Sequence, residues 1–554
     1  MSGGEQTMTP TATSPAVMPI AAAFGEVAEE LARTASAEEA AQADVEKSAE
    51  APSLVEGPAA NAGASGGGAG EPPRGEEFDA DAVVQRFNRE WALCLIGKAA
   101  IVLREQTSGP IEDRVRIVGL EAFKAYHSNR YTLVESDDGK LTRKLWAPYW
   151  LRHRKRRTFD GIEFYPDPKD APGTPNYFNL WRGFAIKPDH ETPKAERPKK
   201  YAVFRDHLLT NICESDPKLF AWFFGWIAHI FQKPRERIGT AIVLRGGEGW
   251  GKSKVGEVIG SLAPSHYFPV DDPRYLTGQF NAHMASCLLL QIDEGFWAGD
   301  KAAEGRLKGL ITAPKQMIEA KGVDPIRLDN YVRLLFSSNE DWVVPVGLDG
   351  RRFCVLDVSD RVARNATYFG EMEAQLANGG REALLADLLE FDLASVNLRD
   401  VPKTGALLEQ KLRSMDPQTS WWFERLSDGS ATRRAAQWNR HVPVDTLFRD
   451  YIHTSEQIGV KRKAEKTAFG MKMHKLVPGL QVTKRTMTID EWDDARRQTT
   501  EVQKRVACYA LPSLPECREH FETLTQQTIK WLVDDPGSQP DQPPDRSEDD
   551  DVEF

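Results

Sequence analysis

The chain has 554 residues, of which 41% are apolar and 28% charged, and its formal net charge is −11. That length carries two to four domains, and the acidic balance excludes a chain that is basic throughout, such as a simple DNA-coating protein, while leaving local basic patches open. Six cysteines with no CxxC spacing point to neither a zinc site nor a disulfide framework; six reduced thiols are expected.

Residues 1–77 are rich in Ala, Glu, Gly, Pro, Ser and Thr, with Phe24 the sole aromatic before Phe78. Such a segment buries too little apolar surface to offset chain entropy, so it is expected to be disordered. It has no basic n-region of a signal peptide, and no apolar run in the chain reaches the ~18 residues that span a bilayer. A cytoplasmic protein with no membrane partner is expected. The next region, 78–234, reads as α+β. A helix is predicted over 81–93, with Asp79-Ala80-Asp81 as its capped start, then a strand over 99–104. A basic run follows at 152–157, either nucleic-acid-binding or packed on acids, then a Trp-rich stretch at 177–184. The apolar run 219–231 reads as a buried helix.

From 235 to 400 apolar strands alternate with helices, the pattern of an α/β domain on a parallel sheet. The strand 239–245 runs into Gly246-Gly247-Glu248-Gly249-Trp250-Gly251-Lys252-Ser253, and a helix is predicted over 254–262. This is the GxxxxGK[ST] phosphate loop in its proper strand–loop–helix context. Its glycines let backbone N–H groups turn inward, and the helix N-terminus adds a positive dipole end. ATP and Mg2+ are therefore expected, with Lys252 on the β- and γ-phosphates and Ser253 on the metal. A strand over 287–292 ends in Asp293-Glu294, where Asp293 is expected to hold Mg2+ and Glu294 to polarise the attacking water. A strand over 331–338 ends at Asn339, an amide suited to orienting that water. Arg351 and Arg352 then precede another strand, and one of them is expected to enter a neighbouring subunit's site.

Residues 405–525 read as helical and then strand-like, with helices over 444–452 and 466–476 followed by strands over 481–487 and 504–511. The acidic, Pro-rich end, 534–554, is expected to be a disordered tail. No internal repeat is visible.

Phosphate loop, Asp-Glu, strand ending in Asn, then Asp-Gly-Arg-Arg resembles, in that order, the superfamily-3 helicases of viruses, phages and plasmids. More narrowly, residues 78–514 are similar to the helicase portion of phage and prophage primase-helicases related to the poxvirus primase-helicase. The stretches 177–184, 276–281, 307–312 and 337–345 carry that closer match. The resemblance implies a P-loop, AAA+-like, three-layer α/β ATPase core, with the α+β region before it and a winged-helix-like domain after it. It implies a homo-hexameric ring translocating on single-stranded DNA in a bacterial host's cytoplasm. It also implies a channel hairpin, with strands 315–320 and 326–331 and Lys321 at the tip as a phosphate contact. Lys461, Arg462, Lys463, Lys466, Lys472, Lys475, Lys484 and Arg485 make a candidate face for duplex or forked DNA. Relatives often carry a primase domain ahead of the helicase; no convincing carboxylate set stands there, so primer synthesis is not expected. An ATPase that binds origins, or loads or packages DNA without processive unwinding, is the alternative.

Overall fold

The N-terminal region shows how a short apolar run is assigned by its partners rather than by its own pattern. In the computed structural model, which describes residues 78–533 apart from 107–114, 137, 273–274, 276–280, 295–300, 321–322 and 494–497, Asp79 accepts the Ala82 N–H at 2.9 Å and starts helix α1 (Ala80–Glu90). The expected cap is therefore in place. The helix stops at Glu90, short of 93, because Trp91–Ile96 pairs as strand β1 with β2 (Ala99–Glu105) across a turn at Gly97. Next come β3 (Val115–Gly119), helix α2 (Leu120–Tyr126), the hairpin β4 (Tyr131–Glu135) and β5 (Leu141–Leu145), helix α3 (Trp146–Arg152) and β6 (Thr158–Phe159). The first sheet has the order β3-β2-β1-β6. Phe87, Trp91, Phe123 and Trp150 form a small separate core beside it. The basic run begins on the last residue of α3, Arg152, and continues as a turn over 153–157 tied into this region. Asn88 Oδ1 accepts the Arg157 N–H, Lys155 pairs with Asp81, and Arg157 pairs with Glu105.

Strands β7 (Gly161–Glu163) and β8 (Tyr177–Asn179) lead to a seam with the central region. Trp181 stacks on His266 with ring centroids 4.5 Å apart. His266 Nε2 accepts the Arg182 N–H, and its Nδ1 donates to Ser286 O at 2.8 Å. Helix α4 (Pro217–Gln232) is the buried apolar helix expected over 219–231, starting on an Asp216 cap. Buried Arg333 donates to the carbonyls of Pro234 and Lys233 just past its end, where a cation suits the helix dipole.

The central sheet consists of β9 (Ala241–Arg245), β10 (Tyr267–Val270), β11 (Leu289–Asp293), β14 (Arg333–Ser338) and β15 (Phe353–Asp357), in the order β10-β11-β14-β9-β15. Every pairing in it is parallel, and β9 and β14 are buried along their whole length, as near-continuous apolar runs require. Helix α5 (Lys252–Ser261) follows β9, and α6 (Lys301–Thr312) follows β11. Between α6 and β14 lies the antiparallel hairpin β12 (Lys315–Ala320) and β13 (Val323–Asp329), paired from Lys315↔Asp329 to Ala320↔Val323. Its second strand begins three residues earlier than expected and ends two earlier, at Asp329, and a bulge between Ile318 and Ala320 shifts the register by one residue. Lys321, like 1–77 and 534–554, lies outside the described residues.

Helices α7 (Ala366–Gln375) and α8 (Arg381–Leu389) close this region, and α9 (Gly405–Arg413) packs on β15. The C-terminal part has its own core around Trp421, Trp422, Tyr451, Phe469 and Phe521. It comprises α10 (Pro417–Asp428), β16 (His441–Pro443), α11 (Val444–Gln457), α12 (Lys466–Leu476), β17 (Gln481–Asp493), β18 (Gln498–Ala510) and α13 (Leu514–Thr525), with sheet order β16-β18-β17. The two long strands extend well past the expected 487 and 504. Their outer halves lack apolar alternation and are held by cross-strand pairing, Met487↔Lys504 out to Asp493↔Gln498. Three of the eight candidate DNA-facing bases are paired internally: Lys463 with Glu456, Lys466 with Asp445, and Lys472 with Asp416.

All six cysteines are free and buried. Among the described residues, no helix is long and apolar enough to cross a membrane.

The buried imidazoles make stability pH-dependent. Burial, with Arg130 and Arg104 nearby, lowers His127 to about 4, and burial lowers His229 and His266 to about 3. The unfolded chain takes up these protons near pH 6.5 and the folded chain only near 3–4, so stability is full above 6.5 and is lost as pH falls below it. At pH 5 each such group costs about 2 kcal/mol. Urea midpoints are expected to fall between pH 7 and pH 5. His127, whose ring nitrogens have no hydrogen-bond partner among Phe87, Trp91 and Phe123, should give a shallower slope when changed to Phe.

Candidate functional site

Parallel strands bring their C-terminal ends to one sheet edge, and ligands of open α/β sheets bind outside that edge. Here β9, β11 and β14 end together: Asp293 pairs with Ser337, and Ser338 with Arg245. The loop Gly246–Ser253, the pair Asp293-Glu294 and Asn339 are therefore neighbours, although up to 93 residues separate Gly246 from Asn339 in the chain.

The loop is closely built. Gly249 has φ 78° and Gly251 φ 90°, the left-handed region that glycine enters without a Cβ penalty. Trp250 folds back over the start of the loop, so that a Cβ on Gly246 or Gly247 would meet its ring at 2.6 Å. Trp250 thus clamps the loop from within. Helix α5 begins at Lys252, so the helix N-terminus faces the loop. Lys252 is only 6% exposed. Its ammonium donates to Gly246 O at 2.8 Å, Gly247 O at 2.7 Å and Asn339 Oδ1 at 2.6 Å. Burial lowers its pKa, opposed by the carboxylates of Glu294, Asp293 and Glu248.

Asp293 ends β11. Ser253 Oγ donates to its Oδ1 at 3.3 Å, and Gln291 Nε2 donates to both of its carboxylate oxygens, at 3.0 and 2.8 Å. Gln291 is itself held by Tyr267, whose hydroxyl donates to its Oε1 at 2.8 Å. Gly256 on α5 makes room for this amide, since a Cβ there would lie 1.6 Å from Gln291 Oε1. Gln291 and Tyr267 were not expected from the sequence, yet a signal existed. A lone amide stands in the run Leu288-Leu289-Leu290-Gln291-Ile292, two residues before Asp293, and so on the same strand face. Glu294 sits beyond the strand with φ 52°, an uncommon conformation for a side-chain-bearing residue. Its N–H donates to Ser337 O, and its Oε1 accepts from Asn339 Nδ2.

Gly249, Gly251, Lys252, Ser253, Glu294 and Asn339 line a cleft of about 510 Å3, together with Arg364 and Phe369 from the segment after β15. Arg364 donates its backbone N–H to Gly249 O at 2.9 Å and pairs with Glu248. The hydroxyl and carboxylate of Ser253 and Asp293 are hard oxygen donors, the set that suits Mg2+.

Arg351 and Arg352 are not brought to this cleft. Phe353 pairs with Ala241 and Asp357 with Arg245, so both arginines precede β15 at the opposite edge of the sheet. At about 3.3 Å per residue they stand roughly 20 Å from the loop. Arg351 is exposed and lines a separate cavity with Arg399, Lys403 and Lys411.

A Gln291→Leu variant keeps the strand buried but removes two hydrogen bonds from Asp293. Loss of a partner that orients a metal ligand typically costs 10- to 100-fold. If Asp293 holds a divalent cation, the Kd for Mg2+ is expected to rise about tenfold in this variant, read by titration.

Residues 244–352 match a family of unknown function (DUF5906), and this interval contains every site residue above from Gly246 to Arg352. The chain is 24% identical over 263 residues to a DNA primase-polymerase of Nitratiruptor phage NrS-1, an alignment covering 45% of this chain and 35% of that protein. The chain thus spans about a third of the length of the curated relative it matches. An apo structure of the NrS-1 C-terminal region is similar over 79% of this chain and 100% of that one, with a TM-score of 0.52 and 16% identity. A second apo form of the region is similar over 78% and 99%, with a TM-score of 0.52 and 15% identity. The likeness to these structures is one of fold, a mixed α/β architecture.

Proposed function

We propose that this chain is an ATP-dependent DNA helicase or translocase for phage, prophage or plasmid replication, hydrolysing ATP between the subunits of a homo-hexameric ring. One observation carries the reading: Lys252, Ser253, Asp293, Glu294 and Asn339 converge on one sheet edge around a glycine-rich loop at a helix N-terminus. Their chemistry is that of phosphoryl transfer to water. The phosphate-loop N–H groups receive the phosphates, and Lys252 exchanges its loop carbonyls for β- and γ-phosphate oxygens. Ser253 and Asp293, the latter steadied by Gln291, would hold Mg2+, which when bound neutralises phosphate charge. Glu294 takes the proton of the attacking water, and Asn339 orients Glu294 and senses the γ-phosphate.

Arg351 and Arg352 stand too far from their own loop to act in cis, which supports a role for one of them in a neighbour's site. The β12–β13 hairpin would carry Lys321 against single-stranded DNA in the ring channel. The C-terminal part, read as a winged-helix-like domain, would meet duplex or forked DNA through Lys461, Arg462, Lys475, Lys484 and Arg485. Primer synthesis is not part of the proposal.

Strand displacement on a forked DNA, measured beside ATPase stimulation by single and double strands, tests the reading. Unwinding that requires ATP and Lys252 is the expected result. ATP turnover without displacement would instead favour origin binding, loading or packaging. A Lys321→Ala protein is expected to hydrolyse ATP but to lose displacement; normal unwinding by it would remove the hairpin from the mechanism.

A further inference from the structure

The Gly246–Ser253 loop rests against a histidine that belongs to the N-terminal region. His207 is fully buried and opens a π-helical turn, His207–Ile212. Such turns are rare and recur at functional sites, where the extra residue re-aims a side chain. His207 Nε2 lies 3.2 Å from Gly251 O, and its Nδ1 lies 3.3 Å from Asn211 Nδ2. A carbonyl only accepts and an amide nitrogen only donates, so the ring is the neutral Nε2–H tautomer. Burial also pushes the imidazole pKa down, which keeps it neutral. Asn211 Nδ2 reaches on to the Tyr368 hydroxyl at 3.4 Å, and that hydroxyl donates to Val203 O at 3.2 Å. The contact is close: a Cβ on Gly251 would lie 2.7 Å from His207 Cε1 and 2.9 Å from the Phe369 ring.

A trans peptide is planar, so the carbonyl of Gly251 and the N–H of Lys252 point in opposite directions. Holding that carbonyl on His207 turns the Lys252 N–H away from the histidine. This N–H is also one of the unpaired donors in the first turn of α5. Gly251 and Lys252 both line the cleft, and His207 does not.

We propose that His207 is a positioning residue that presets the Gly251–Lys252 peptide for a phosphate and, through its π-helical turn, couples nucleotide occupancy to the N-terminal region. The proposal rests on the nucleotide reading of the loop. The chain Tyr368–Asn211–His207–Gly251 is a continuous set of hydrogen bonds from α7 to the phosphate loop, and its middle members lie on the turn that leads into α4.

His207→Phe in the full chain keeps an aromatic ring beside Tyr368 and Phe369 and removes the donor. Expected are a melting temperature near wild type, a roughly tenfold rise in KM for ATP and in Kd for a fluorescent ADP analogue, as for the loss of one good hydrogen bond, and a smaller change in kcat. His207→Gln, which returns an N–H donor, should recover most of the affinity. Nucleotide should slow hydrogen exchange over 207–212 in the wild type and the Gln variant but not in the Phe variant. A His207→Phe protein with wild-type KM and unchanged nucleotide-dependent protection would overturn the proposal. Should that variant not fold, Tyr368→Phe serves, since it removes only the far hydroxyl: a KM raised about threefold supports the chain, and an unchanged one overturns it. Lys252→Ala separates the two levels. If it binds nucleotide normally, the nucleotide reading itself fails; if it loses binding while His207→Phe does not, only the role of His207 fails.

Discussion

Changing Lys252 to alanine is expected to cut ATP turnover about 100- to 1,000-fold, the usual effect of removing one preorganised charged or polar group from a developing anion. The ammonium is buried, faces Asn339 Oδ1 at 2.6 Å, and holds the carbonyls of Gly246 and Gly247. A buried cation contributes most where water is excluded, because the local dielectric is low. The same burial means that the lysine adds little to stability: its pKa is lowered, and alanine removes a desolvated charge along with its hydrogen bonds. Phosphate release and a thermal melt, run side by side, check this. Turnover at the wild-type rate would refute the whole site.

Under the proposed ring mechanism, changing Arg351 or Arg352 to alanine is expected in one of the two cases to lower turnover about 1,000-fold or more while nucleotide binding stays near wild type. The geometry makes a sharper test possible. Neither arginine reaches the loop of its own chain, since both stand at the other edge of the sheet. A ring built from head-to-tail contacts places one subunit's arginine edge against the next subunit's loop. Lys252→Ala subunits carry intact arginines, and Arg351→Ala subunits carry an intact loop. Mixing the two inactive proteins one to one should restore about a quarter of the sites, because a competent site needs both halves. If mixed subunits stay inactive under conditions where rings exchange, the arginines do not act in trans. Doing the same with Arg352→Ala identifies which of the two is the finger.

Much of the candidate site was legible because its parts are local. Gly246 to Ser253 is one contiguous loop whose glycine, lysine and serine spacing is visible in the sequence itself. Asp293 and Glu294 follow an apolar strand, and Asn339 follows another, so their place at strand ends could be read from the strand patterns. Gln291 lies within that signal but reads by pattern as one more residue of a buried strand. His207 carried none: it stands 44 residues before Gly251, among ordinary helical residues, and its role depends on a π-helical turn that no hydrophobic period predicts. Element ends are less legible for a related reason. Trp91–Ile96 is apolar throughout, so helix and strand are equally compatible with it until β2 supplies the pairing. The outer halves of β17 and β18 carry only scattered apolar residues, among them Ile489, Trp492 and Val502, and pair only with each other.

Residues close in sequence thus determined by themselves the glycine-rich turn at 246–253, the acids at the end of β11 and the amide that follows β14, because backbone conformation and side-chain alternation act over a few residues. Only the tertiary structure decided that β14 lies between β11 and β9, that Arg351 and Arg352 face away from their own loop, and that an N-terminal histidine supports Gly251. Each of these depends on pairing and burial between segments tens of residues apart, where the free energy lies in the contact and not in either segment alone.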